Sequence, residues 1–114
     1  MTSLRMRRNA GLVAALALLS ASGSATPPAR AIKSYTITIE NMQFSPSQLS
    51  VQRGDRIVWV NKDLFPHTVT AGNKALDSGT INAGGSWTYV TDKPGEYAYS
   101  CTFHPTMKGA ITVR

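Results

Sequence analysis

The sequence predicts an all-β fold, a sandwich or barrel, from three observations. Apolar residues recur with period two in short runs rich in β-branched and aromatic types. Clusters of Gly, Pro, Asn and Asp separate those runs. No window shows a 3.6-residue apolar period, so no amphipathic helix competes with the strands.

The elements follow in order. Residues 35–39 (YTITI) and 49–51 (LSV) alternate as half-buried strands do. Arg53, Gly54 and Asp55 read as a turn. Residues 57–60 (IVWV) are uninterrupted apolar residues, as in a buried central strand, and Asn61, Lys62 and Asp63 end the run. Residues 67–70 (HTVT) form a short strand, followed by a polar segment with Gly72, Asn73, Asp77 and Gly79. Gly84 and Gly85 turn into residues 87–90 (WTYV). Residues 92–95 (DKPG) are a strong turn signal. Residues 97–101 (YAYSC) and 109–113 (GAITV) close the set. Trp59, Trp87, Tyr89, Tyr97 and Tyr99 are expected in the core and in cross-strand pairs.

The chain before the first strand carries a different pattern. Arg5, Arg7 and Arg8 precede a small, apolar run over residues 10–19, and Ser, Ala, Gly and Pro lead to Ala29, Arg30 and Ala31. This is a secretory signal peptide, expected to span residues 1–31 with cleavage after Ala31, or alternatively after Ala25. Its apolar run is about half the ~20 residues that cross a bilayer, so no membrane anchor is expected after processing. No cysteine lies near the cut to carry a lipid. The mature protein is expected to be exported, to the periplasm.

The formal net charge of +6 belongs largely to that leader, which holds four of the twelve basic residues. Those that remain are scattered singly, with no stripe to bind nucleic acid. Residues 32–114 are left as one small domain, expected to be monomeric. A domain this short without a disulfide needs good sheet packing or a metal.

The metal has candidate ligands. Cys101, His104 and Met107 stand at spacing C-x2-H-x2-M on one short loop. Thiolate and imidazole hold both Cu(I) and Cu(II), and a weak thioether caps the axis of such a site. That geometry needs a second imidazole, and His67 is the other of the two histidines in the chain. Cys101 is the sole cysteine, which is odd in an oxidising compartment unless a metal occupies the sulfur. Zinc would want a fourth strong ligand, which methionine is not.

With these residues the chain resembles the cupredoxins, the type 1 blue copper proteins, and its short C-x2-H-x2-M loop is similar to that of the amicyanin-like members. Met42, Phe44, Pro46, Gly54, Asp55, Trp59, Asn61, Pro66, Asp77, Gly79, Pro94, Gly95, Tyr97, Lys108 and Gly109 carry the likeness across almost the whole mature chain. The resemblance implies a Greek-key β-sandwich of about eight strands. It implies one type 1 copper ion, with His67, Cys101 and His104 as equatorial ligands and Met107 as the axial one. Two positions depart from the family pattern. Thr68 stands where asparagine often ties the two ligand loops together, and a bond from its hydroxyl to Thr102 would serve instead. Phe103 stands where the amicyanin-like loop has proline.

The expected function is a soluble electron carrier between redox partner proteins of cytochrome or dehydrogenase type. A copper-handling protein for storage, delivery or resistance is the alternative on the same ligands. An enzyme is not expected, because no further acid or base constellation accompanies Cys101 and the two histidines.

Overall fold

The computed structural model describes residues 30–114 and, before them, only Gly11, residues 14–17 and Gly23. The signal expected over residues 1–31 thus falls almost wholly outside the described residues. Eight strands form: β1 (Ser34–Glu40), β2 (Gln43–Ser45), β3 (Gln48–Val51), β4 (Arg56–Asn61), β5 (Thr70–Ala71), β6 (Ser86–Val90), β7 (Gly95–Ser100) and β8 (Lys108–Val113). They make two four-stranded mixed sheets, ordered β2-β1-β4-β6 and β3-β8-β7-β5. β1 runs parallel to β4 and β3 parallel to β8, while the other pairs are antiparallel. This is the all-β sandwich that the sequence predicts.

Alternation decides which residues enter the core. Ile37 and Ile39 on β1, Ile57 and Trp59 on β4 and Ile111 on β8 are fully buried. Each buried isoleucine contributes about 1.5–3 kcal/mol of hydrophobic stabilisation. Trp59 and Tyr99 join the two sheets. Their rings meet edge to face at 5.6 Å, and the Trp59 Nε1–H donates to the Tyr99 hydroxyl at 3.3 Å. Burial pushes the Tyr99 phenol up to about 12 against that hydrogen bond. Gly109 lies opposite Tyr99 in the β7–β8 ladder, and a Cβ there would collide with the phenol ring. Trp87, Tyr89 and Tyr97 pack against this core but are only partly buried.

Two local expectations need correction, and one strand was not anticipated. Asn61 does not end the strand before it. It is the last residue of β4 and fully buried. Residues 67–70 are not a continuous strand: His67 makes an isolated bridge to Ile81, and strand pairing resumes at Thr70. β2 has only three residues, too few for its alternation to be read in sequence.

A two-residue hairpin turn, Asn41 and Met42, joins β1 to β2, with Glu40 paired to Gln43. Both turn residues have positive φ, 53° and 58°. That is the type I′ pattern, which suits strand twist but prefers Asn followed by Gly. Methionine in this region costs about 1–2 kcal/mol. Met42 is also part-exposed, not packed inside as a structural methionine would be.

At the start of β4, Asp55 is fully buried and accepts four hydrogen bonds. Two come from the Arg30 guanidinium, at 2.8 and 3.1 Å, and one each from the Lys33 and Gln52 amides, at 3.0 and 2.9 Å. The Arg30 bond outweighs burial and, with those amides, holds the carboxyl well below the usual carboxylate range.

Candidate metal centre

Two segments meet beyond the other end of β4. One is the chain between β4 and β5, which carries His67 and Thr68. The other is the loop between β7 and β8, which carries Cys101, His104 and Met107. The β7–β8 loop is closed by its own backbone. His104 N–H donates to Cys101 C=O, Met107 N–H to His104 C=O, and Cys101 N–H to Met107 C=O, at 3.2, 2.9 and 3.1 Å. Cys101 and His67 are fully buried, Met107 is buried, and His104 is half-buried.

The donor atoms of His67, Cys101 and His104 lie within 4.8 Å of one another. His67 Nδ1 is 3.7 Å from Cys101 Sγ, and His104 Nδ1 is 4.0 Å from it. Metal–sulfur and metal–nitrogen bonds of ~2.3 and ~2.0 Å at a trigonal angle put sulfur and nitrogen about 3.8 Å apart. The spacing and the soft donor set therefore fit copper. Met107, the remaining candidate, lies at the end of the same loop and joins the buried core.

Hydrogen bonds tie the two segments together. Thr68 N–H points at Cys101 Sγ at 3.3 Å. Thr102 N–H donates to the Thr68 hydroxyl at 2.9 Å, and the two threonine hydroxyls are 3.1 Å apart. This is the loop-to-loop tie expected of Thr68 in place of asparagine. Leu64, Phe65 and Phe103 turn outward, with 89%, 60% and 50% of their surface exposed.

Two residues of this site escaped the sequence reading, which took both for strand enders. The Asn61 amide donates to the carbonyls of Phe65 and Ile81 at 2.8 and 3.0 Å and so fastens the segment that delivers His67. Asp63 Oδ2 lies 2.8 Å from His67 Nε2. Burial works to raise the Asp63 carboxyl, but the Met42 and Asn41 amides and His67 outweigh it and hold the group below its ordinary value. The available signal was an aspartate four residues before a candidate ligand.

The chain and its architecture are similar to those of known proteins. Residues 10–113 match the family model described as a cupredoxin-like domain. Amicyanin of Paracoccus denitrificans is 29% identical over 82 residues, which are 68% of this chain and 63% of that protein, just under two thirds of its length. Plastocyanin of Scenedesmus fuscus is 33% identical over 84 residues, 62% of this chain and 86% of that protein. Among solved structures, an amicyanin variant in its Cu(I) form matches with TM-score 0.67 and 28% identity, covering 75% of this chain and 86% of that one. A Cu-containing nitrite reductase from Thermus scotoductus matches with TM-score 0.66 and 28% identity, over 70% of this chain but only 22% of that one.

Proposed function

The chain belongs to the cupredoxin-like domain family, and on that premise we propose that it is an exported electron carrier holding one type 1 copper ion. The ligands are His67, Cys101 and His104, with Met107 as the weak axial donor. The observation that carries this reading is the buried donor triangle, already at metal-binding spacing and braced by hydrogen bonds. Bound copper supplies a one-electron couple between Cu(I) and Cu(II).

The chain supplies the rest. The closed β7–β8 loop and the Thr68–Thr102 tie keep the donors from rearranging as the metal charge changes. Burial of Cys101 and His67 excludes water. The same rigidity argues against a storage or delivery role, which needs a site that opens. His104, half-buried, is the exit for the electron. Leu64, Phe65 and Phe103, exposed on the two segments that carry the ligands, are the apolar residues on which a redox partner of cytochrome or dehydrogenase type docks briefly and leaves. The leader is removed on export to the periplasm, and residues 32–114 contain the functional domain.

The deciding measurement is the visible absorption spectrum of the oxidised, copper-loaded protein. An intense blue band from Cys101 thiolate to copper is expected. Cys101→Ser should abolish the band while the sandwich stays folded by circular dichroism. A pale wild-type protein with weak absorption only would overturn the type 1 assignment.

A further inference from the structure

We propose that Asp63 is a positioning residue for His67, and that the Asn41–Met42 turn clamps it in that role. The proposal rests on His67 being a copper ligand. Asp63 Oδ1 accepts the Asn41 N–H at 2.6 Å and Oδ2 accepts the Met42 N–H at 3.0 Å. Backbone amides only donate, so both carboxylate oxygens act as acceptors. Oδ2 also faces His67 Nε2 at 2.8 Å, and an acceptor there requires Nε2 to carry the ring proton. In a neutral imidazole the free lone pair is then on Nδ1, the nitrogen that faces Cys101 Sγ.

Asp63 thus selects the tautomer that a metal needs and places a negative charge behind the ring. Carboxylates set behind a ligating histidine orient the ring and raise its basicity. A fixed negative charge favours the more highly charged metal state, Cu(II) over Cu(I). The clamp works because two adjacent amides of this turn meet the two oxygens of one carboxylate. Asp63 itself is anchored by its own N–H, which donates to the Asn61 side chain at 3.0 Å. The turn joining β1 to β2 is therefore part of the metal centre, although it contributes no ligand.

The test compares wild type with Asp63→Asn and Asp63→Glu. Asp63→Asn keeps the size but loses the charge and sets an NH2 group against N–H donors. Its Cu(II) affinity should fall about 10- to 100-fold, and its Cu(I) affinity by less. A tenfold difference between the two losses is a rise of about 59 mV in reduction potential. Asp63→Glu should restore part of the shift. A second measurement does not depend on the variants folding. In the apo protein, nitrogen NMR should find His67 as a single tautomer, with an Nε2 proton that exchanges slowly. An unchanged potential in Asp63→Asn that still binds copper, or an unprotonated or rapidly exchanging Nε2 in wild type, overturns the proposal alone. A wild-type protein that shows no blue band overturns the electron-carrier reading as well.

Discussion

Asp55 stands just before β4, and Asp63 stands two residues beyond its end. Both carboxylates gather backbone N–H groups, Asp55 from Lys33 and the nearby Gln52, Asp63 from Asn41 and Met42, and both are held below their ordinary values. They differ in the remaining partner. Asp55 takes the Arg30 guanidinium, a permanent cation with no lone pair to offer, and the result is a closed knot. Asp63 takes His67 Nε2, whose opposite nitrogen faces Cys101 Sγ. A strand rise of ~3.3 Å per residue separates the two by about 20 Å or more, so each end of the sandwich is governed independently. The comparison teaches that the same local device becomes either a fastener or part of a working site. The choice depends on whether its last partner has a second functional atom.

The largest expected effect breaks the fastener. Asp55→Ala leaves the Lys33 and Gln52 amides and the Arg30 guanidinium without their acceptor, and its loss of stability should exceed that of any substitution at the Asp63 end. Urea unfolding measures this, while the visible spectrum and potential of the folded fraction should match wild type. A shift in potential would show that the two ends are coupled after all.

Acid sharpens the same contrast. A depressed folded-state carboxyl gives stability that is fully present above the unfolded value of about 3.9. It is lost as pH falls from there through the lower folded value. Both aspartates act in this direction, so unfolding free energy should be flat from neutral pH down to about pH 5 and then fall steeply. In protein that retains Arg30, Arg30→Gln should make that fall shallower, because it removes the first cause of the Asp55 depression. A wild-type stability that does not change between pH 5 and 3 would contradict the ion-pair account.

The smallest effect concerns the clamp. Met42→Gly relieves the positive φ yet keeps the N–H that Asp63 accepts. It should stabilise the fold by up to about 1 kcal/mol in urea unfolding and leave the reduction potential unchanged. A destabilised variant would mean that the Met42 side chain, and not the turn conformation, supports this region.

What was legible in sequence was what lies close in sequence. Period-two burial of Ile37 and Ile39 announced β1, and the C-x2-H-x2-M spacing announced a loop with three donors because seven residues contain it. The Thr68–Thr102 tie was readable only through resemblance. Asp63 was not readable as a partner of His67. Its other contacts come from Asn41 and Met42, 22 and 21 positions away, and only the β1–β4 pairing brings that turn alongside. Asn61 looked like a strand breaker because asparagine usually competes with ladder hydrogen bonds. Here its amide is spent on the Phe65 carbonyl and on the Ile81 carbonyl of the His67–Ile81 bridge.

Arg30 has a bearing on how the protein matures. A peptidase cut after Ala31 would discard the guanidinium and leave a fully buried carboxylate facing amides alone. A cut after Ala25 would keep Arg30 and with it the knot. The two cuts therefore leave products that differ in this bond. The intact mass of the exported protein, read against the two candidate lengths, distinguishes the two cuts directly.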